Sequence, residues 1–126
     1  MTAGEALQAA VLRQLAPLRV FAAPPARAAL PYAVVADPVL GAADAAGVAG
    51  RSGTILIAGE DEGERPDRLR ALLAGVETAM AALPAEVGGG WRIAMLRLVR
   101  SRIVAGRGTR WTGSSEFAVR LYRMDS

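Results

Sequence analysis

The chain contains no cysteine, histidine, lysine or asparagine, and only 5% of its 126 residues are aromatic. Without cysteine there is neither a disulfide framework nor a thiolate metal site. Without histidine, cysteine and lysine there is no imidazole base, thiolate nucleophile, Schiff-base amine or P-loop lysine, which removes most nucleophilic and phosphoryl-transfer mechanisms. Carboxylates, hydroxyls and arginines remain. A carboxylate pair hydrolysing a glycoside or holding Mg²⁺ is the one enzymatic reading left open. No catalytic residue, metal ligand or cofactor is assigned, and the chain is expected not to be an enzyme. No run approaches the roughly 18 apolar residues of a membrane span, and the N-terminus lacks the cationic-then-apolar order of a signal peptide, so cytoplasmic synthesis and no membrane partner are expected.

Hydrophobic residues make up 52% of the chain and charged residues 21%. That is enough for one Leu-, Val-, Ile- and Ala-rich core, and a single domain over residues 1–126 is expected. All fifteen basic residues are arginine, for a net charge of +3. The balance is uneven: residues 1–63 carry four arginines against six acids, residues 64–126 eleven against six. Two chemically different surfaces would produce this pattern. The richness in Ala, Gly and Arg is equally what a GC-rich genome produces.

Thr2 and Glu5 have capping-box spacing, Leu7, Val11 and Leu15 recur on one face, and Pro17 stops the run. This predicts a first helix from Ala3 to Leu15. Arg19 to Ala22 reads as a short extended segment, and Leu30 to Ala36 as a strand bounded by Asp37-Pro38. Gly41 to Gly53 is small, polar and aperiodic, and is expected to be a mobile loop before a short buried strand, Thr54 to Ala58. Leu69, Leu72, Leu73, Val76, Met80 and Leu83 give the strongest helical period in the chain, introduced by acids and Pro66.

Trp91 to Ala105 and Thr109 to Arg123 read as two long strands joined by Gly106-Arg107-Gly108. The apolar phase of the first shifts between Met95 and Leu96 and between Leu98 and Val99, which predicts bulges. Fifteen extended residues reach roughly 50 Å, so the hairpin is expected to project or bend. The expected fold is α+β in the order α-β-β-β-α-β-β, with one mixed or antiparallel sheet, the long helix on one face and a long C-terminal hairpin.

Residues 91–126 carry eight arginines against two acids. Arg97, Arg100, Arg102, Arg107 and Arg110, with Trp111, are candidates for a partner interface. A phosphate footprint and a merely solvated face are the alternatives, the former weakened by sparse rings on the arginine face. Glu60, Asp61, Glu62 and Glu64 form a candidate acidic surface, read otherwise as a helix-capping cluster or, with no EF-hand spacing, a cation site. Trp91 and Trp111 are either interface anchors or core. Gly88-Gly89-Gly90 and Gly106-Arg107-Gly108 are turns rather than phosphate loops.

In order and spacing, these segments resemble the tail terminator (tail-completion) proteins of long-tailed phages and gene transfer agents. The resemblance runs through the Leu- and Ala-rich first helix, Arg19-Val20-Phe21, Pro24-Pro25, Leu30-Pro31-Tyr32-Ala33-Val34-Val35, the 69–83 helix, Arg100-Ser101-Arg102-Ile103-Val104, Trp111-Thr112-Gly113 and Phe117-Ala118-Val119-Arg120-Leu121. One departure is the strand ahead of the long helix, which the family makes longer and aromatic, whereas Thr54 to Gly59 is short and ringless. The resemblance implies a structural virion protein, made in the bacterial cytoplasm and located at the head–tail junction. It would form a ring, typically a hexamer, on the tail-tube protein, face the head-connector (stopper) protein, and meet DNA only as it passes through the lumen. A nucleic-acid-binding module using the arginine-rich hairpin is the alternative.

Overall fold

The computed structural model describes residues 1–27 and 29–124. Along the chain lie α1 (Ala3–Gln14), β1 (Val20–Phe21), β2 (Tyr32–Val35), β3 (Val39–Ala42), β4 (Gly50–Glu62), α2 (Asp67–Ala81), β5 (Glu86–Gly88), β6 (Trp91–Ala105) and β7 (Arg110–Arg123). The strands form one mixed seven-stranded sheet in the order β1-β2-β4-β7-β6-β5, with β3 also paired to β4. β1 and β2 run parallel and the other pairs antiparallel. The fold is α+β, but the order is α-β-β-β-β-α-β-β-β, which adds β3 and β5 to the expected elements.

α1 starts where its cap predicts: the Thr2 hydroxyl accepts the Glu5 N–H at 3.1 Å. Leu7, Val11 and Leu15 are fully buried, and the Gln14 side-chain amide donates to the Ala79 carbonyl at 2.8 Å, joining α1 to α2. On α2, Leu69, Leu73, Val76 and Met80 are buried, as a single apolar stripe of period 3.6 requires. Burial contributes about 1.5–3 kcal/mol for each such side chain. Leu69 and Leu73 reach the sheet at Gly59 and Gly113: a Cβ added at either glycine would meet the leucine Cδ1 at 2.7 Å.

The expected mobile loop over 41–53 is overturned. β3 pairs with the start of β4 through Val39↔Thr54, Leu40↔Gly53, Gly41↔Ser52 and Ala42↔Arg51. A tight turn closed by Ala45 and Val48 lies between them, where Ala46 and Gly47 take φ of 51° and 77°. The glycines that suggested disorder are instead required by close approach. A side chain at Gly53 would run into the Val39 carbonyl, and one at Gly50 into that of Ala43. β4 consequently has 13 residues, against five expected.

Of the two alternatives expected for the hairpin, projecting or bending, the first is overturned: it is no free arm. β7 pairs with β4 from Glu62↔Arg110 back to Gly50↔Tyr122, and beyond the strand end the Gly63 N–H donates to the Thr109 carbonyl at 2.9 Å. A long strand must satisfy its backbone groups on both sides or leave them to water, and β4 satisfies one side of β7 throughout. In β6 the register skips between Ile93 and Met95 and between Leu98 and Arg100. The second bulge lies at the expected place and the first one residue earlier than expected. The skips keep Ile93, Leu96 and Leu98 opposite Leu121, Val119 and Phe117, on the face that carries the core.

Candidate functional site

Strand alternation divides the candidate residues between two faces. On β7, Gly113, Ser115, Phe117, Val119 and Leu121 are buried, so the intervening residues form the open face. Arg92, Arg97, Arg100 and Arg102 of β6 lie opposite Tyr122, Ala118, Glu116 and Ser114 and share that face with Arg110 and Arg120. The sheet thus gathers six arginines on one side, among them Arg97, Arg100, Arg102 and Arg110 of the candidate interface.

They are not equivalent. Arg100 Nε lies 3.4 Å from Glu116 Oε1, and Arg92 pairs with Glu86 at 3.2 Å. Arg110 bridges Glu60 at 3.6 Å and Glu62 at 3.9 Å. The side chains of Arg97, Arg102 and Arg120, together with that of Arg107 in the hairpin turn, have no ion-pair or hydrogen-bond partner among the described residues. Trp111 does not face out with the arginines. Its register partner is Asp61, and its Nε1–H donates to the Gly63 carbonyl at 2.9 Å, so it fastens the hairpin end to the loop before α2. Trp91 is only 5% exposed and lies under the Arg51 guanidinium, 5.6 Å from its ring centroid.

Glu60, Asp61, Glu62 and Glu64 do not make one acidic surface. Glu60 and Glu62 lie on the open face beside Arg110. Asp61 points the other way and is fully buried, accepting Arg68 Nη2–H at 2.6 Å, Arg68 Nε–H at 3.2 Å and the Glu62 N–H at 2.8 Å. Glu64 lies exposed past the strand end. The Tyr32 hydroxyl donates to Glu60 Oε2 at 2.8 Å. That hydrogen bond, then burial, then the negative charge of Glu60 raise the Tyr32 pKa above its ordinary 10.0, against a smaller opposite effect of Arg110. Among the described residues no three carboxylates converge as a metal site would require, and no helix is long and apolar enough to cross a membrane.

Two features escaped sequence reading. β5 covers only the first residues of β6, so from Ala94 to Ala105 the outer edge of β6 has no strand partner among the described residues. A trench runs between this edge and α2. It consists of an apolar cavity of about 270 Å³ lined by Met80, Leu83, Leu96, Leu98 and Phe117, and a smaller one of about 170 Å³ with Arg70, Arg102 and Ile103 at its walls. Glu77 borders both. The only signal in the sequence was the two-phase apolar pattern of β6. The other feature is the outer edge of β3, where Val39 is 73% exposed.

No family model matches the chain, and no curated protein matches it. Among solved structures, it is similar to a chain from the virion of the native gene transfer agent (GTA) particle, with a TM-score of 0.81 and 22% identity. The match covers 97% of this chain and 99% of the other. At that identity, the likeness establishes a shared fold over essentially the full length of both chains.

Proposed function

We propose that this chain is a structural virion protein that forms a ring on the end of the tail tube and joins it to the head connector, in a long-tailed phage or a gene transfer agent. The observation that carries the reading is the end-to-end likeness of its fold to a chain of a gene transfer agent virion. It agrees with the segment order that resembles the tail terminators, and the longer strand that resemblance implies ahead of the long helix is present as β4, still without a ring. The sheet also carries a long edge that is unpaired among the described residues, and such edges are natural templates for joining subunits. The role needs no catalytic group, and the sequence holds no histidine, cysteine or lysine. On this reading the chain acts as one domain, its partners are further copies of itself, the tube protein and the connector protein, and the unpaired Arg97 and Arg102 are protein contacts.

The test is the mass of the purified chain by light scattering, alone and with the tail-tube protein encoded in the same gene cluster. A closed oligomer in either condition supports the proposal. A monomer in both, with no complex, overturns it. The four unpaired arginines favour one competing reading, nucleic-acid binding. That reading predicts DNA affinity falling steeply with salt, by roughly 0.9 in log K per log salt for each phosphate neutralised.

A further inference from the structure

The outer edge of β6 is bare from Ala94 to Ala105 among the described residues. It amounts to about 40 Å of extended chain, and proteins rarely leave so long an edge unpaired. The ladder fixes which of its backbone groups face outward. The Arg123 N–H donates to the Ala49 carbonyl and the Met124 N–H to the Gly90 carbonyl, so along β7 the odd-numbered residues spend their backbone groups on β4 and the even-numbered ones on β6. Arg97, Arg100 and Arg102 lie opposite Ala118, Glu116 and Ser114 and therefore turn their backbone groups inward. Leu96, Leu98, Ser101 and Ile103, opposite Val119, Phe117, Ser115 and Gly113, turn theirs outward. The side chains of these four lie on the α2 side, where Leu96 and Leu98 border the apolar cavity of about 270 Å³ with Met80 and Leu83, and Leu98 remains 43% exposed. The three arginines project from the opposite, open face.

We infer that this edge receives an extended segment of a different protein, in which acidic residues alternate with apolar ones. An added strand hydrogen-bonds to Leu96, Leu98, Ser101 and Ile103, and residues directly opposite each other share a face. Its side chains opposite Leu96 and Leu98 therefore enter the apolar cavity, and those in between stand beside the arginines. The side chains of Arg97 and Arg102 have no partner among the described residues, so acids at the alternate positions supply the pairing that the chain itself leaves open. A second copy does not fit this chemistry. Pairing β6 with β6 would set two arginine rows side by side, a destabilising arrangement of like charges. The remaining edge strands, β1, β3 and β5, hold a single acid, Glu86, which already pairs with Arg92. Such a segment covers an edge that each copy presents by itself, whether or not copies join in a ring.

The probe is a fluorescently labelled synthetic peptide of repeated Glu-Val units, as long as the free edge. Its controls are a peptide of the same composition with all the acids first, and a Lys-Val repeat. Anisotropy should show the Glu-Val repeat binding at least tenfold more tightly than either control, and amide exchange should slow at Leu96, Leu98, Ser101 and Ile103 when it binds. Ser101→Pro removes an outward N–H that the fold does not use, so it should weaken binding at least tenfold at an unchanged unfolding midpoint. A second variant does not depend on how the proline is tolerated: Arg97→Glu with Arg102→Glu should prefer the Lys-Val repeat. No binding of the Glu-Val repeat would overturn the inference. So would equal binding of the acids-first peptide, which marks a surface that merely attracts anions, or slowed exchange confined to other strands. Light scattering tests the ring separately. A closed oligomer that does not bind the peptide loses only the strand site, and a chain that stays monomeric with and without the tube protein but binds the peptide loses only the ring.

Discussion

Gly59 of β4 and Gly113 of β7 lie directly opposite each other in the strand register, and Leu69 and Leu73 of α2 occupy the space their missing side chains leave. Either residue alone reads as a strand weakener. As a cross-strand pair, they form the depression into which the helix settles.

That relationship predicts an asymmetry between two small substitutions. Gly113→Ala places a methyl group 2.7 Å from Leu73 Cδ1 and 3.1 to 3.2 Å from Ile103 Cγ1 and the Arg102 carbonyl, so it should destabilise by about 1–3 kcal/mol, the usual cost of overpacking. Gly59→Ala meets the flexible end of Leu69 at the same 2.7 Å but only one other tight neighbour, the Tyr32 carbonyl at 3.3 Å, and should cost less. Urea midpoints at unchanged m-value measure both, and a Gly113→Ala protein as stable as wild type would refute the close packing.

Neighbouring acids on β4 should behave very differently. Asp61→Ala removes a buried acceptor used by Arg68 and by the Glu62 N–H, so a loss of roughly 2–3 kcal/mol is expected. Glu62→Ala removes an exposed, 3.9 Å pairing with Arg110 and an exposed, 3.4 Å hydrogen bond from the Thr109 hydroxyl, and should cost less than about 0.5 kcal/mol. Equal losses in thermal or urea unfolding would contradict the two-faced placement of these residues.

Tyr32 sets a pH dependence at the alkaline end. Its pKa is raised above 10.0 chiefly by donating to Glu60, so the folded state holds the phenolic proton more tightly than the unfolded chain. The sign follows from linkage: this contribution is complete below pH 10 and is lost as pH rises through the folded-state pKa. Tyrosinate absorbance should show a late-titrating component that Tyr32→Phe removes and Glu60→Gln shifts toward lower pH. An unchanged titration curve in Tyr32→Phe would refute it.

Amide exchange distinguishes a strand from a loop over residues 50–53. Their ladder with β3 and β7 should make exchange there comparable to that over 55–60, with fast exchange confined to the exposed turn around Ala46 and Gly47. Uniformly fast exchange from 41 to 53 would restore the loop reading.

Reversing two of the four unpaired hairpin arginines separates assembly from folding. Arg97→Glu with Arg102→Glu should leave the unfolding midpoint nearly unchanged, because both side chains are exposed and unpartnered among the described residues. Assembly with the tube protein should fail, since charge reversal at a complementary interface costs several kcal/mol. Normal assembly by the variant, with loss of a strongly salt-dependent DNA affinity, would assign this face to nucleic acid instead.

The features legible in the sequence were those encoded locally. Thr2 with Glu5, the Leu69 to Met80 stripe and the alternation from Ser115 to Leu121 each specify an element through contacts within a few residues of chain, and the missing Cys, His and Lys restrict the chemistry before any fold is known. What remained hidden depends on partners distant in sequence. Gly50 and Gly53 look like loop residues until β3 is laid against them, Asp61 looks like its acidic neighbours until strand alternation turns it toward Arg68, and β6 and β7 look like a free arm until β4 runs beside them. Backbone pairing across the sheet decided these cases, because a glycine's lack of a side chain and a carboxylate's charge acquire their structural meaning only from what lies opposite.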